Sequence, residues 1–174
     1  KISYKLTYEA AQASEQLAIR RGTFPNVNKL KDNAEQISWM YSNIRKRRNL
    51  NLTTCQPTGS VSIIANCSAS IEPYFALSYR RDYLVEDNKS VIITNPVVLD
   101  KLFDMGLLST EVQNTIEETG SIQSCKQIPQ EVRDIFKIAS ERRPEDHIKM
   151  QAEWQKNIDS GISKTINMPN SATV

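Results

Sequence analysis

The chain has 174 residues, 39% of them hydrophobic and 24% charged, the balance of a soluble globular domain long enough to bury a core. A formal net charge of +2 argues against a general nucleic-acid partner. Three cysteines without a Cys-x-x-Cys pair argue against a secreted disulfide framework and a structural zinc site, and no signal peptide or long apolar span is visible.

Leu6, Ala10, Ala13 and Leu17 recur at helical spacing, with Ala11 and Ala18 beside them. This predicts a first helix whose small residues pack closely against a strand. Gly22 ends it and Pro25 prevents its restart. Residues 33–48 are expected to form a second helix with Ile37, Met40, Tyr41 and Ile44 inward. The first fifty residues carry ten Lys/Arg against four Asp/Glu. Arg45, Lys46, Arg47 and Arg48 read as a solvated basic helix end. The functional alternative is long-range steering of a polyphosphate.

Residues 50–54 read as a short strand. Gln56-Pro57-Thr58-Gly59-Ser60-Val61-Ser62 then forms a turn of small hydroxyl residues before the apolar Ile63-Ile64-Ala65. Strand, tight turn and helix start is an arrangement that holds phosphate. Backbone N–H groups point outward at a helix N-terminus, and the dipole favours an anion there. Gly59 lets a ligand approach the backbone, and Thr58, Ser60 and Ser62 add hydroxyl donors. Taken alone, the same residues also describe an ordinary turn with a serine N-cap.

Residues 74–83 read as extended, residues 91–93 as a second strand, and residues 86–89 as the turn between them. Pro96 opens a helix through Leu99, Leu102 and Phe103, closed by Gly106. Ser109 caps the next, with Val112 and Ile116 inward and Gly120 at its end. Pro129 starts another, packing Val132, Ile135, Phe136 and Ala139. Pro144-Glu145-Asp146 begins a long helix carrying Met150, Trp154 and Ile158. Residues 163–168 finish as a strand whose Ser163, Thr165 and Asn167 form a polar face. The alternation predicts an α/β fold. His147, the only histidine, reads as a helix-surface or structural residue, since a metal site needs convergent ligands. Glu72 lies close to the phosphate turn and is open to two readings, orienting a hydroxyl or pairing with Arg80 or Arg81.

From Thr54 to Arg81 the chain runs TCQPTGSVSIIANCSASIEPYFALSYRR. This resembles the C-terminal half of a ribonucleotide reductase catalytic barrel, in particular the class II, adenosylcobalamin-dependent kind. The matching features are the Pro-Thr-Gly-Ser turn, the Ile-rich helix start and Ile71-Glu72-Pro73. Further similar blocks are Arg21-Gly22-Thr23-Phe24-Pro25, Gly120-Ser121-Ile122-Gln123 with Ile128-Pro129, and His147-Ile148-Lys149-Met150-Gln151-Ala152. The last is Ser163-Lys164-Thr165-Ile166-Asn167-Met168-Pro169-Asn170. It is the block that favours class II over class I.

The resemblance implies a fragment of a ten-stranded α/β barrel. Residues 1–174 would be one piece of it, lacking the finger loop and the final strands. Pro57, Thr58, Gly59, Ser60 and Val61 would hold the substrate's phosphates. No catalytic residue and no metal ligand is assigned to the chain, because Cys55, Cys67 and Cys125 all lack the family's Asn-x-Cys-x-Glu neighbours. Implied with it are adenosylcobalamin, a ribonucleotide substrate, a dithiol reductant such as thioredoxin, room for a homodimer, and a cytoplasmic setting without membrane. A class I large chain and a non-catalytic nucleotide-binding module of the same fold are the alternatives.

Overall fold

The structure, a computed structural model, describes residues 1–36, 38–82, 90–168 and 170–173. Helix α1 spans Ile2–Arg21 and stops at Gly22, whose φ is +75°. Its buried face is Ser3, Thr7, Ala11 and Ser14, not the expected Leu6 and Leu17, which are 48% and 40% exposed. Polar bonding decides the face. The Thr7 hydroxyl meets Thr53 Oγ1 at 3.1 Å and donates to the Asn157 carbonyl, while Ser14 Oγ accepts from Asn49 N–H at 3.0 Å. Small side chains let α1 lie directly on the extended segments 47–53 and 157–159, so the expected close packing is present on a different stripe.

The expected helix over 33–48 is replaced by three single 3₁₀ turns, Ala34–Gln36, Trp39–Tyr41 and Ile44–Lys46. Ile37 lies outside the described residues. Side-chain capping at Ser38, which accepts from Met40 N–H, competes with helix propagation there. Ala34 and Ile44 join Phe24 in a small apolar cluster with Val27, Leu30 and Tyr41 around it.

The basic run is no helix end either. Arg45 donates to the carbonyls of Val27, Leu30 and Lys31, and Arg48 to those of Arg21 and Thr23. Arg47 is buried, at 2% exposure. Burial lowers its pKa, opposed by Glu15, Asp159 and Tyr41.

Helix α2 spans Gly59–Ala65. Strands β1 (Ser78–Asp82) and β2 (Ser90–Thr94) pair antiparallel with Ser78 opposite Thr94. This is the expected hairpin, and its turn at 86–89 lies outside the described residues. Asn95 caps α3 (Pro96–Asp104), and Ser109 caps α4 (Thr110–Thr119), which ends at Gly120 in the left-handed conformation. Helix α5 (Gln130–Ile135) is a short turn that leaves Ile135 67% exposed. Helix α6 spans Pro144–Gln155. It ends before Ile158, which is buried all the same.

The main core joins Leu77, Val98, Leu102, Val112, Ile116, Ile122, Ile128 and Val132. It ties the hairpin to α3, α4 and α5. The two other expected strands lie side by side as extended chain. Cys55 and Ile162, each one residue outside the expected bounds 50–54 and 163–168, form one parallel bridge rather than a ladder. Parallel pairing is stable chiefly inside larger covered sheets, and among the described residues no third strand borders this pair. No helix is long and apolar enough to cross a membrane among the described residues.

Candidate phosphate-binding site

The turn begins on a fixed stem. The Asp159 carboxylate accepts from Leu52 N–H at 2.8 Å and Thr53 N–H at 2.9 Å. Cys55 N–H donates to the Gly161 carbonyl at 3.1 Å, and Ser163 N–H to the Cys55 carbonyl at 2.9 Å. Beyond this stem Pro57, Thr58, Gly59, Ser60 and Val61 are all exposed. The structure brings these five residues together where α2 begins.

Thr58 takes the left-handed conformation, with φ 49° and ψ 29°. A β-branched residue is strained there, and such strain concentrates at ligand clamps and switches. The described non-glycine residues with positive φ are Thr58, Asn66 and Ser70, so all of them flank α2. Ser70 N–H donates to Thr58 Oγ1 at 2.8 Å, which pins the strained residue and leaves its hydroxyl proton free to point elsewhere. Ser62 N–H bonds the Thr58 carbonyl at 2.9 Å and Ser62 Oγ bonds the Gly59 carbonyl at 2.6 Å. The N–H groups of Gly59, Ser60 and Val61 precede the first intrahelical donor, Ser62 N–H, and so have no acceptor within the helix. A Cβ on Gly59 would meet nothing within 4 Å, and its φ is not positive. Among the described residues nothing therefore demands glycine at this position, and that side of the turn is open.

Two cavities border the region. One of about 410 Å³ is lined by Ser62, Asn66, Cys67, Glu72, Tyr79 and Arg81 among others. The second, about 540 Å³, includes Ser70, Glu72, Arg142, His147, Trp154 and Lys164. Glu72 lines both. Its partner is not Arg80 or Arg81. Lys164 Nζ donates to Glu72 Oε2, and Thr165 N–H to Oε1. Burial alone would raise the Glu72 carboxyl. The hydrogen bonds from Lys164 and Thr165 and the Lys164 charge outweigh it and hold the group below the usual carboxylate range. His147 is buried rather than on the helix surface, at 2% exposure. Its Nδ1 lies 2.7 Å from Lys164 Nζ and its Nε2 3.2 Å from the Ala139 carbonyl.

Of the expected polar face, Ser163 and Thr165 are exposed and Asn167 is half-buried, while the Lys164 side chain between the first two is 1% exposed. Sequence reading missed Lys164, Asp159 and Ser70. Alternation offered no signal for them, because a buried lysine sits on the face that the pattern assigns to isoleucine. Among the described residues no cluster of three metal-ligating side chains is present. The two cavities, about 410 and 540 Å³, are of small-molecule size.

A family model described as ribonucleotide reductase, barrel domain, matches residues 1–174. A vitamin B12-dependent ribonucleoside-diphosphate reductase of Thermoplasma acidophilum is 40% identical over 169 residues, covering 95% of this chain and 20% of that protein. A protein of the same description from Mycobacterium tuberculosis (strain CDC 1551 / Oshkosh) is 32% identical over 170 residues, covering 98% and 23%. Among solved structures, the Actinobacillus ureae class Id ribonucleotide reductase alpha subunit superposes with a TM-score of 0.67 at 25% identity, covering 92% of this chain and 26% of that one. The chain thus spans about a fifth of the length of the curated relatives it matches.

Proposed function

The chain belongs to the ribonucleotide reductase barrel family, and from that premise we propose that it forms the substrate-phosphate anchor and part of the barrel wall of a ribonucleotide reductase. The observation that carries the reading is the family match over the whole chain, combined with the strained turn at Thr58 that opens α2. In this reading the N–H groups of Gly59, Ser60 and Val61 donate to phosphate oxygens. The hydroxyls of Thr58 and Ser60 add two more donors. The helix dipole contributes a positive end. Pro57 shapes the entry to the turn. Fixing the phosphates places the ribose for the reacting groups, which is a proximity effect.

The substrate is a ribonucleoside diphosphate, by the names of the B12-dependent relatives. Adenosylcobalamin, when bound by the complete polypeptide, supplies the radical chemistry. The product is the deoxyribonucleotide, and a dithiol protein of the thioredoxin kind returns the electrons. A cytoplasmic homodimer completes the proposal.

The test is deoxyribonucleotide formation by the complete polypeptide from a ribonucleoside diphosphate and a dithiol, with and without adenosylcobalamin. Product only with the cofactor is expected. Product only with an added radical-generating subunit would move the assignment to class I. No product from folded protein under either condition would favour a nucleotide-binding module without activity.

A further inference from the structure

The proposed phosphate loop does not hold itself in place. Helix α2 buries no residue, and Val61, Ile63 and Ile64 are 62%, 57% and 86% exposed. Its position therefore depends on the chain at either end. Both ends are fastened to one segment, residues 161–165. On the entry side, Cys55 exchanges backbone hydrogen bonds with Gly161 and Ser163, and Thr54 Oγ1 donates to the Gly161 carbonyl at 2.8 Å. On the exit side, Glu72 takes the Lys164 ammonium and the Thr165 N–H. Two residues before Glu72, Ser70 N–H holds Thr58.

We propose that segment 161–165 is a baseplate for the phosphate loop and that Lys164 is the positioning residue that fixes the loop's exit upon it. This rests on residues 57–61 being the phosphate anchor. An ammonium has three protons, and Lys164 has three acceptors: Glu72 Oε2, His147 Nδ1 and the Thr165 carbonyl. With Nδ1 accepting, the ring proton of His147 lies on Nε2 and donates to the Ala139 carbonyl. Every donor of the lysine is used, and its side chain is 1% exposed. No proton is left over for a ligand, so Lys164 acts on the substrate through Glu72, Ser70 and Thr58. A fully satisfied buried network of this kind defines one geometry and resists small displacements.

The test uses the complete polypeptide and steady-state reduction of a ribonucleoside diphosphate. Lys164→Met keeps the volume and removes the charge. Glu72→Met/Lys164→Met also removes the carboxylate left behind, so the pair becomes apolar and stability is recovered. Both variants are expected to raise KM about tenfold while kcat stays within about threefold, as a small misplacement of bound substrate does. A structural role alone predicts that KM returns to the wild-type value when the double variant regains its thermal midpoint, and that result overturns the proposal. Should neither variant fold, Glu72→Gln loses one of the two anchor bonds in either amide orientation. A KM unchanged in that variant overturns the proposal equally. Gly59→Val is the control. If it leaves KM unchanged, the phosphate-anchor reading fails. If it raises KM while the Lys164 and Glu72 variants do not, the baseplate alone fails.

Discussion

Glu72 shows how a residue adjacent to a motif is governed by chain far away. Sequence put it near the phosphate turn and offered the nearby Arg80 and Arg81 as partners. The partner is Lys164, 92 residues downstream, which local spacing cannot reveal. Because the folded carboxyl titrates below its ordinary value, its contribution to stability is present above about pH 4.3, the unfolded value. It is lost as pH falls through the lower folded value. A series of urea midpoints between about pH 6 and about pH 3 checks this. Glu72→Gln is expected to flatten the acid limb, and an unaltered limb would remove Glu72 from the account. The single variant Lys164→Met leaves the carboxylate buried without its cation and is expected to cost about 3–5 kcal/mol in urea unfolding at neutral pH. Gly59, by contrast, is readable from sequence as a helix-start glycine, and a Cβ there would meet nothing within 4 Å.

At the scale of elements, what was readable was punctuation. Ser109 and Gly120 mark the ends of α4 as expected, because capping is local chemistry. Gly120 has φ +68°, and a Cβ there would meet Ala76 Cβ at 2.9 Å and the Ser78 carbonyl at 3.2 Å. Gly120→Ala should therefore cost about 1–3 kcal/mol or more in left-handed strain, beyond the ~1 kcal/mol expected for Ser109→Ala at the N-cap. Both are measurable by chemical denaturation, and the reverse order would contradict the contact geometry. The buried face of α1 was misread because hydrophobic periodicity cannot see a stripe buried by hydrogen bonding. Thr7→Val tests that stripe. Leaving the Asn157 carbonyl without the Thr7 hydroxyl is expected to cost about 1–3 kcal/mol, while the Thr53 hydroxyl keeps Asp159. A neutral result would make Thr7 a packing residue only. The segment over 33–48 was misread for a related reason, since helical spacing of Met40, Tyr41 and Ile44 says nothing of the arginines that instead tie it to carbonyls of residues 21–31.

Seen as a whole molecule, the chain has a compact core around α3, α4 and α5 and a second region built largely from polar ties between α1, residues 47–55 and residues 157–165. The second region carries the phosphate turn. It also leaves Ile2, Leu6 and Leu17 exposed on one side of the buried stripe of α1 and Tyr4, Tyr8 and Ile19 on the other. These 174 residues expressed alone are therefore expected to bind a hydrophobic dye such as ANS strongly, whereas the complete polypeptide should not. Equal dye binding by both would contradict this. The family was readable because several blocks recur in order along the chain. The parallel strands were readable as extended segments, but a ladder depends on neighbours that no local pattern specifies.

In the proposed function, residues 57–61 hold the phosphates of a ribonucleotide. The most direct test is equilibrium binding to the complete polypeptide of a ribonucleoside diphosphate and of the matching nucleoside, in wild type and in Gly59→Val. The wild type is expected to prefer the diphosphate by at least about tenfold, from hydrogen bonds to a charged group, and Gly59→Val to erase this preference while leaving nucleoside affinity in place. An undiminished preference in Gly59→Val would contradict the claim and send the search for the phosphate anchor elsewhere in the protein.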